Sequence, residues 1–573
     1  MPVQNSEIAN IFYTTADLLE IEGANPFRVR AYRDAARTIE GHPRRIHKMI
    51  ESGQPVDEIA GIGEDLAKKI KEIVETGNLR FFEELRSRTP DTLIKLLDIS
   101  GLGPKRVQQL YHELDITNIQ ELKEAIELGN VEKLEGFGPK TAENIHKALK
   151  TETFQEERTR LDIAEQFIEP LVDYLREIDG VENVVVGGSY RRRKPTVGDL
   201  DIIAISNEGD PVSEAFIKYD SVHKVLSQGE TKTSVKLRSG LQVDLRVVPK
   251  ESYGAALLYF TGSKAHNIHL RNIAVDEGLK INEYGVFDGD ERILGATEEE
   301  IYQHFGIPYI EPELRKDTGE IEAASKGQLP DLVTLDDIRG DLQMHTVHSD
   351  GDQSIEKMAG MADKLGYEYI AITDHTSYIG VTQGLKDEDI PKYVEEIDAF
   401  NADHEGVLVL KGVEVDIHED GSLDLSDDSL NQMDVVLGAI HSHFGLREEE
   451  QTERVIKAMD NPYFNIYAHP TTRRINSRQP IDVNLEKLME AAIERGCFLE
   501  INASPERLDL WDQYIRLARD IGLKLSIGTD SHRKSSLANI KYGVYQARRG
   551  WADKSQILNT YALGELQGFF KRS

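Results

Sequence analysis

Two aspartates stand at alternate positions before an apolar run in the stretch GGSYRRRKPTVGDLDIIAIS, residues 187–206. A strand sends residues i and i+2 to one face, so Asp199 and Asp201 converge and repel each other unless cations lie between them. A third acid, Asp244, lies in the strand-like text QVDLR, where burial is costly unless the carboxylate is paired or binds metal. Three such carboxylates suit two hard ions such as Mg²⁺, which can activate an attacking hydroxyl and neutralise a leaving pyrophosphate.

The segment before these aspartates has residue types that bind a chain of phosphates. Gly188 and Ser189 let backbone amides and a hydroxyl approach a triphosphate, and Arg192 can fork onto its oxygens. A Gly-Ser pair alone usually marks a plain turn. Together with the Asp-x-Asp step and a third aspartate on a following strand, it predicts a site for a nucleoside triphosphate.

A second set of candidate ligands lies in the last third of the chain. Seven apolar strand-like runs each end in a metal-type residue and alternate with helical stretches such as IEKMAGMADKLG, which predicts a βα barrel. Imidazole and carboxylate at this density suit Zn²⁺, Mn²⁺ or Fe²⁺. Any one of them alone is more often a core or surface residue, and His348, His418 and His443 are predicted bystanders. The candidate ligands are His345, Asp350, His375, Glu414, His441, His469, Asp530 and His532.

Three repeats in the first third place a Gly-x-Gly before a helical pattern: IAGIGEDLAKKIKEIV, ISGLGPKRVQQLYHEL and LEGFGPKTAENIHKAL. Glycines permit close backbone approach, and a helix begins with unpaired N–H groups, so three copies favour phosphate binding over coincidence. The repeats resemble the helix-hairpin-helix motif, which grips the DNA backbone without reading sequence. The predicted DNA-binding residues are Gly61, Gly63, Gly101, Gly103, Lys105, Gly136, Gly138 and Lys140.

Length and composition predict a multidomain globular protein. The chain has 573 residues, more than one core holds, and a net charge of −33 that taken alone argues against a nucleic-acid partner. Residues 28–48 oppose this sign with seven Lys or Arg and two acids. No run is long enough to span a bilayer, no secretion signal is seen, and the single cysteine, Cys497, fits a reducing compartment. We expect a cytoplasmic protein without a membrane partner.

The stretch GGSYRRRKPTVGDLD resembles the nucleotidyltransferase signature of family X DNA polymerases, and YFTGSKAHNIHLR, residues 259–271, is a second match. The resemblance implies a monomeric gap-filling DNA polymerase of base excision repair that takes dNTPs, gapped or nicked DNA with a 5'-phosphate, and two Mg²⁺ or Mn²⁺ ions. Arg193 departs from the pattern, since the family usually has glycine there. The implied nucleotide-binding residues are Gly188, Ser189, Arg192, Gly198, Tyr259, Phe260, Gly262, Asn267 and Arg271.

The same resemblance assigns roles to individual residues. Tyr259, Phe260 and Gly262 shape the pocket for the incoming sugar, Asn267 contacts the incoming base, and Arg271 approaches the template side. In the small amino-terminal domain it makes Lys69 the candidate Schiff-base lysine of a 5'-deoxyribose phosphate lyase, with Tyr32 nearby. Most lysines on such a helix are only solvated.

The barrel runs resemble the polymerase and histidinol phosphatase (PHP) domain, a distorted seven-stranded barrel that holds three metals and hydrolyses phosphoesters. This implies a metal-dependent 3'→5' exonuclease, with cleavage of abasic sites and removal of 3'-phosphates as further candidate activities and two or three Zn²⁺, Mn²⁺ or Fe²⁺ ions. The domain usually opens with His-x-His, whereas this chain has Gln343, a weaker neutral ligand. Arg473 and Arg507 are candidates for holding the substrate phosphate. The implied metal sets are position 343 with His345, Glu414 and Asp530; Glu414 with His441 and His469; and Asp350 with His375 and His532.

The expected fold class is multidomain α/β, with helical DNA-binding domains, a nucleotidyltransferase palm with a mixed sheet, and a C-terminal distorted (βα)₇ barrel. Two rival functions stay open: a template-independent nucleotidyltransferase, and a polymerase whose barrel is a non-catalytic structural module. The expected domains are a lyase-like domain (1–88), a helix-hairpin-helix subdomain (89–152), the palm (153–250), a nucleotide-selection subdomain (251–317), a linker (318–337) and the barrel (338–573).

Overall fold

The structure is a computed structural model, and the chain divides into two compact units, Met1–Arg158 and Thr159–Ser573. Among the described residues, no helix is long and apolar enough to cross a membrane. The described residues are 3, 5–40, 46–59, 61–89, 91–97, 99, 102–127, 129–134, 136–138, 141, 145, 158–376 and 384–570.

The first unit is helical and holds two cores. One core joins the first five helices around buried residues such as Phe12 and Tyr32, and the other surrounds Leu110. Helices α4 and α7 each follow a glycine, Gly63 and Gly103, in extended conformation. The helices are α1 (Asn5–Ile21), α2 (Pro26–Glu40), α3 (Ile46–Glu51), α4 (Glu64–Thr76), α5 (Arg80–Arg88), α6 (Asp91–Leu97), α7 (Pro104–Leu114) and α8 (Ile119–Glu127).

The second unit begins with the palm, whose five-stranded sheet has the order β2-β4-β7-β6-β5. The pair β4 and β7 is parallel and the other pairs are antiparallel, so the expected mixed sheet is confirmed. The runs DLDIIAI and QVDLRVV form its two central strands because their apolar residues are buried. The elements are β1 (Thr159–Arg160), α9 (Leu161–Arg176), β2 (Asn183–Val186), α10 (Gly188–Arg191), β3 (Thr196–Val197), β4 (Asp199–Ile205), α11 (Gly209–Ile217), β5 (Val222–Ser227), β6 (Lys232–Leu237) and β7 (Gln242–Val248).

The small-sheet subdomain, residues 253–325, follows the palm. Its antiparallel strands pack with four helices, and a capping box at Thr297 begins the third of them, α14. Glu298, buried to 3% exposure, pairs with the fully buried Arg315 and with Arg191 of the palm. The elements are α12 (Tyr253–Thr261), α13 (Lys264–Asp276), β8 (Lys280–Asn282), β9 (Gly285–Asp288), β10 (Glu291–Leu294), α14 (Glu298–His304) and α15 (Glu320–Ser325).

The segment 318–337, expected to be a linker, carries α15. The Glu320 carboxylate is fully buried and pairs with the His266 ring at 2.7 Å, and Ile321 and Ala324 join the core of the small-sheet subdomain. The polar sequence of this segment did not reveal that it packs, because Glu320 points inward and pairs with His266. Residues 320–325 of the expected linker are therefore part of the folded small-sheet subdomain.

The barrel is a seven-stranded parallel sheet in sequence order, as predicted. A parallel bridge between Met344 and Ser531 joins the segments that follow its first and last strands. Trp551, next to the barrel helix α22, is buried in the core of the small-sheet subdomain. The elements are β11 (Gly340–Asp341), α16 (Ile355–Leu365), β12 (Tyr369–His375), α17 (Ile390–Asp403), β13 (Leu408–Asp416), α18 (Asp427–Leu430), β14 (Val435–Ala439), α19 (Glu448–Met459), β15 (Ile466–Tyr467), α20 (Leu485–Arg495), β16 (Phe498–Asn502), α21 (Asp512–Ile521), β17 (Leu525–Gly528), α22 (Ile540–Arg549) and α23 (Leu563–Phe570).

Candidate active sites

The three palm aspartates meet at the beginning of two parallel strands. In the register of β4 with β7, Asp201 lies opposite Asp244 and Asp199 lies opposite Gln242. Burial, together with the negative charges of Asp199 and Asp244, raises the pKa of Asp201 to about 7. The site therefore disfavours three ionised carboxylates until cations join them, as a two-ion site requires.

Asp244 has a different environment. Burial opposes its ionisation, but hydrogen bonds from Gln242 and Lys232 hold its pKa below the usual range. Gln242 Nε2 donates to Oδ1 at 3.0 Å, and Lys232 Nζ lies 3.0 Å from Oδ2. The sequence analysis missed Lys232, which lies on the antiparallel neighbour β6, where no short motif marks it.

The nucleotide loop, residues 187–194, lies against this carboxylate cluster. Gly188 has φ +60°, and a Cβ added there would lie 2.6 Å from Asp201 Oδ2, so only glycine allows this approach. Gly198 lies in the one-residue gap between β3 and β4. Ser189 is in the short helix α10, and the Arg192 guanidinium donates to the Thr261 carbonyl.

Neighbouring arginines of this loop have separate partners. Arg191 is held by the carboxylate of Glu298, at 2.6 and 2.9 Å, and by the Thr261 hydroxyl at 2.7 Å, so it joins the palm to the small-sheet subdomain. Arg193 has φ +52°, which explains why glycine suits this position. Its guanidinium lies over the Tyr545 ring at 4.4 Å.

The residues expected at the sugar and base lie at the junction of α12 and α13. Asn267 Nδ2 donates to the Tyr259 carbonyl at 2.7 Å, and its buried Oδ1 has no hydrogen-bond partner among the described residues. Arg271 lies over the Tyr259 ring at 5.0 Å, and Arg246 lies over the Phe260 ring at 4.6 Å. Gly262, with φ +68°, places its backbone beside the Arg192 guanidinium.

In the first unit, the glycine repeats leave room for a ligand backbone. Added Cβ atoms at Gly63, Gly103, Gly136 and Gly138 would meet no atom of the described structure within 4 Å. Gly61 and Gly136 have φ values near +80°, and Lys105 is exposed on α7. Of the predicted DNA-binding residues, Gly101 and Lys140 lie outside the described residues.

Lys69 and Tyr32 come together in the same unit. The Lys69 ammonium lies 5.8 Å from the centre of the Tyr32 ring and pairs with Asp65. Its side chain is 16% exposed, whereas the neighbouring Lys68 is 78% exposed. Burial raises the pKa of Tyr32, and the positive charges of Lys69 and Arg28 oppose this shift.

In the barrel, Glu414 is the central carboxylate of the predicted ligands. Its oxygens lie 2.9 Å from His469 Nε2, 3.1 Å from His441 Nε2 and 3.3 Å from His345 Nε2. Three groups of side chains lie in this region, and within each group the potential ligand atoms are all within 4.8 Å of one another. These groups are His345, Asp350, His375 and His532; His375, Glu414 and His441; and His345, Glu414 and Asp530.

This arrangement fits divalent metals and follows the predicted sets in part, because His469 lies 2.9 Å from Glu414 but belongs to none of the three groups. His345 lies in two groups, and His375 lies beside Glu414 as well as Asp350, so the sets overlap more than the resemblance implied. Burial lowers the pKa of His375 to about 3, which keeps the imidazole neutral as a metal ligand must be. Hydrogen bonds that the His441 ring donates to the Asp416 and Glu414 carboxylates overcome burial and raise the pKa of His441 to about 9.

Position 343 lies within the cluster despite its unusual residue. Gln343 Nε2 donates to Glu414 Oε2 at 2.7 Å, and Asn502 Nδ2 lies 3.4 Å from Gln343 Oε1. The Gln343 amide N–H thus donates to an oxygen of Glu414, the same carboxylate that would bind a metal. Asp416, which pairs with His441 Nδ1 at 2.9 Å, is a supporting residue that the sequence analysis missed.

The two candidate phosphate-binding arginines differ. Arg507 Nε lies 3.3 Å from Asp530 Oδ2, and its buried Nη1 has no hydrogen-bond partner among the described residues. Arg473 donates to the Arg507 carbonyl at 2.9 Å and lies over the Trp511 ring at 4.6 Å, which gives it a structural role. Of the two, Arg507 is placed to bind an anion.

The predicted bystander histidines lie outside the metal groups found among the described residues. His348 pairs with Glu396 at 3.3 Å, and the exposed His443 lies 3.6 Å from Glu419. His418 donates its backbone N–H to Ser422 in a turn.

Comparisons with known proteins agree with this organisation. Residues 3–79 match a helix-hairpin-helix domain and residues 93–151 a SAM-like helix-hairpin-helix tandem. Residues 256–316 match the DNA polymerase beta thumb, and residues 341–504 match the PHP domain.

Three relatives extend these matches. The DNA polymerase/3'-5' exonuclease PolX of Bacillus subtilis (strain 168) is 38% identical over 575 residues and covers 100% of both chains. DNA polymerase lambda of Arabidopsis thaliana is 27% identical over 55% of this chain and 62% of its own. A probable phosphatase of Thermoanaerobacter sp. (strain X514) is 30% identical over 40% of this chain and 94% of its own. With its palm carboxylates, thumb, helix-hairpin-helix repeats and metal-type barrel, the chain belongs to the family X DNA polymerases that carry a C-terminal PHP domain.

Proposed function

We propose that the chain is a gap-filling DNA polymerase of base excision repair. The observation that carries this proposal is the register of β4 with β7, which gathers Asp199, Asp201 and Asp244 beside the nucleotide loop. A template-independent nucleotidyltransferase would need the same aspartates. It would not need two helix-hairpin-helix regions, which suit a grip on the backbone of gapped DNA.

In this proposal the chain's own groups divide the work of nucleotide transfer. Asp199 and Asp201 would hold two Mg²⁺ or Mn²⁺ ions, and Asp244 would contribute to one of the two sites and help to deprotonate the primer 3'-hydroxyl. Bound cations supply activation of that hydroxyl and neutralisation of the pyrophosphate. Ser189 and Arg192 bind the triphosphate. The residues proposed for the sugar, base and template side are Gly188, Gly198, Tyr259, Phe260, Gly262, Asn267 and Arg271.

The experiment uses gapped DNA with a 5'-phosphate, each dNTP singly, and Mg²⁺ or Mn²⁺, followed on a sequencing gel. We expect incorporation only of the complementary dNTP. In Asp201→Ala, extension should fall by at least about a thousandfold, because the cations that neutralise the charge of the transition state lose a carboxylate ligand. The matched control is Glu230→Gln, which neutralises an exposed acid of the palm. Template-independent addition, or parental extension by Asp201→Ala, would refute the proposal.

For the barrel we propose a metal-dependent 3'→5' exonuclease, with abasic-site cleavage and 3'-phosphate removal as additional reactions. The support is the overlapping ligand groups around Glu414. Two or three Zn²⁺, Mn²⁺ or Fe²⁺ ions bound there would supply Lewis acidity for attack on a phosphodiester. Arg507 supports this assignment because its buried Nη1 is left for an anionic oxygen beside Asp530.

His345→Ala and His469→Ala test the barrel, with His443→Ala as a matched control at an exposed histidine outside the metal groups. We expect the first two to lose nuclease activity and bound metal by elemental analysis, while primer extension continues. Full nuclease activity in both would remove the barrel as its source. Few or no metals in the parent protein would favour the alternative in which the barrel is only a structural module.

We also propose 5'-deoxyribose phosphate lyase activity at Lys69. Its position over the Tyr32 ring and its low exposure distinguish it from the solvated lysines of α4. We further propose that the protein is a monomer and that it is cytoplasmic. The single cysteine, Cys497, is free, which fits a reducing compartment. Light scattering of the pure protein tests the monomer, and a dimer mass would refute it.

A further inference from the structure

The barrel helix α22 lies between the barrel wall and the nucleotide loop of the palm. At Gly543 an added Cβ would lie 2.4 Å from Ile527 Cγ2, so α22 is pressed against the wall at β17. The same helix supplies the side chains that reach the loop. The position of the loop is therefore tied to the barrel through one helix.

Two side chains of α22 bind the backbone of the loop. Arg549 Nη1 donates to the Arg192 carbonyl at 2.6 Å, and Gln546 Nε2 donates to the Arg193 carbonyl at 3.4 Å. Arg549 is 5% exposed and Gln546 is fully buried. A charge-assisted hydrogen bond in a buried setting is the stronger kind, so Arg549 makes the main contact.

The loop has a reason to need this support. Arg193 is held at φ +52°, a conformation that costs free energy in a residue with a Cβ. Its guanidinium is held by the Tyr545 ring of α22 and lies 3.9 Å from Glu165 of α9. Glu165 itself accepts hydrogen bonds from Tyr542 at 2.5 Å and from Lys541 at 2.7 Å.

Arg549 is itself fixed by charged neighbours. Its guanidinium pairs with Asp512 of α21, and Lys316 lies 2.7 Å from the same carboxylate. Lys316 also donates to the Arg549 carbonyl at 2.8 Å. This arrangement joins the barrel, the small-sheet subdomain and the nucleotide loop.

We propose that Arg549 is a positioning residue of the polymerase reaction: it holds the loop of Ser189 and Arg192 in the form that binds the dNTP triphosphate. The inference rests on the proposed triphosphate role of these two residues. The barrel then contributes to nucleotide binding in the palm, independently of its own hydrolytic chemistry. If the loop has the binding conformation in only a fraction of the molecules, the apparent affinity of the protein for the dNTP is reduced to that fraction of its full value.

The test measures dNTP KM and kcat on single-nucleotide gapped DNA for Arg549→Met, Arg549→Lys and Arg548→Met. Arg548 is the matched control, because it lies next along α22 but pairs with Glu313 at 2.7 Å and not with the loop. We expect a rise in KM of about tenfold for Arg549→Met and about threefold for Arg549→Lys, with kcat within about twofold. Arg548→Met should keep the parental KM, and the nuclease activity should be unchanged in all three.

Arg192→Ala is measured alone and combined with Arg549→Met. If Arg549 acts through Arg192, its effect on KM should largely disappear in the double variant. An unchanged KM in Arg192→Ala would refute the triphosphate role itself. A raised KM in Arg192→Ala with a parental KM in Arg549→Met would refute only the inference about the barrel, as would fully additive effects.

A fall in kcat at constant KM would also overturn the inference. If Arg549→Met loses nuclease activity and melts at a lower temperature, Tyr545→Leu decides instead, because it removes only the ring beneath Arg193. A higher dNTP KM in that variant, with normal melting, supports the positioning role. A parental KM refutes it.

Discussion

Replacing Asp201 by asparagine should stabilise the metal-free palm while abolishing polymerisation. The ionised carboxylate is disfavoured in the folded state, where burial and two neighbouring aspartates raise its pKa from 3.8 to about 7. At 1.36 kcal/mol for each pKa unit, this rise in pKa corresponds to ~4 kcal/mol. Asparagine removes the charge but still buries a polar amide, which leaves a gain of about 1–3 kcal/mol.

The pH dependence gives this prediction its sign. Because the folded pKa is raised, the folded state holds a proton that the unfolded state releases between pH 4 and 7, so the parent loses stability across that range. The advantage of Asp201→Asn should therefore be small near pH 4, grow as the pH rises to 7, and stay constant above it. In the proposed mechanism the reaction needs this carboxylate, which would account for its presence at a cost in stability.

The assay follows palm unfolding in urea with EDTA at several pH values, with Glu230→Gln as the matched control for loss of one surface charge. Mg²⁺ with a dNTP should restore the stability of the parent but not raise that of Asp201→Asn, because only the parent gains ligands from the cations. An Asn variant that is no more stable than the parent at pH 8, or a gain independent of pH, would refute the electrostatic reasoning.

Three further predictions concern the other sites. Gln343→His should increase the metal retained after dialysis against a chelator, measured by elemental analysis, because imidazole is the better ligand; unchanged retention would show that position 343 does not face a metal. Lys69→Met should lose the borohydride-trapped adduct with 5'-deoxyribose phosphate DNA while Lys68→Met keeps it, and equal trapping would exclude Lys69. Glu298→Gln should cost about 3–5 kcal/mol in urea unfolding by removing the carboxylate that pairs with the buried Arg315 and the half-buried Arg191, against a near-neutral effect of the exposed Glu299→Gln. Burial opposes ionisation of Glu298 but its arginine partners hold its pKa at about 2, so this difference should be present above pH 4.5 and shrink as the pH falls towards 2.

Sequence motifs predicted the aspartates of the palm site but not the strand pairing and the neighbouring cation that hold them in place. The text GDLD and QVDLR identifies Asp201 and Asp244 as strand residues near a shared edge, because alternation and burial are local properties. The register that sets them opposite each other, and the cation of Lys232 on the next strand, depend on pairings between distant segments. A single sequence does not encode such pairings in any short pattern.

The barrel shows the same division. Strand-helix alternation predicted its seven strands and placed Glu414 and the histidines at one end, because parallel strands end on the same side. The alternative partners of His375 depend on side-chain packing and were not predictable. The departure at Arg193 was visible in sequence, but its left-handed φ and the distant Tyr545 ring that holds its side chain were not.

Trp551 follows a helix of the barrel but packs in the core of the small-sheet subdomain, so the polymerase part of the chain depends on the barrel for its packing. Its side chain is 3% exposed and lies in the same core as Ile310, Leu314 and Leu332 of the preceding segments. A gene shortened before the barrel would encode a polymerase whose apolar residues around the Trp551 position are exposed to water, which lowers its stability. After loss of the C-terminal module, substitutions that make this apolar surface polar or cover it would therefore be needed before a stable polymerase without a nuclease domain could arise.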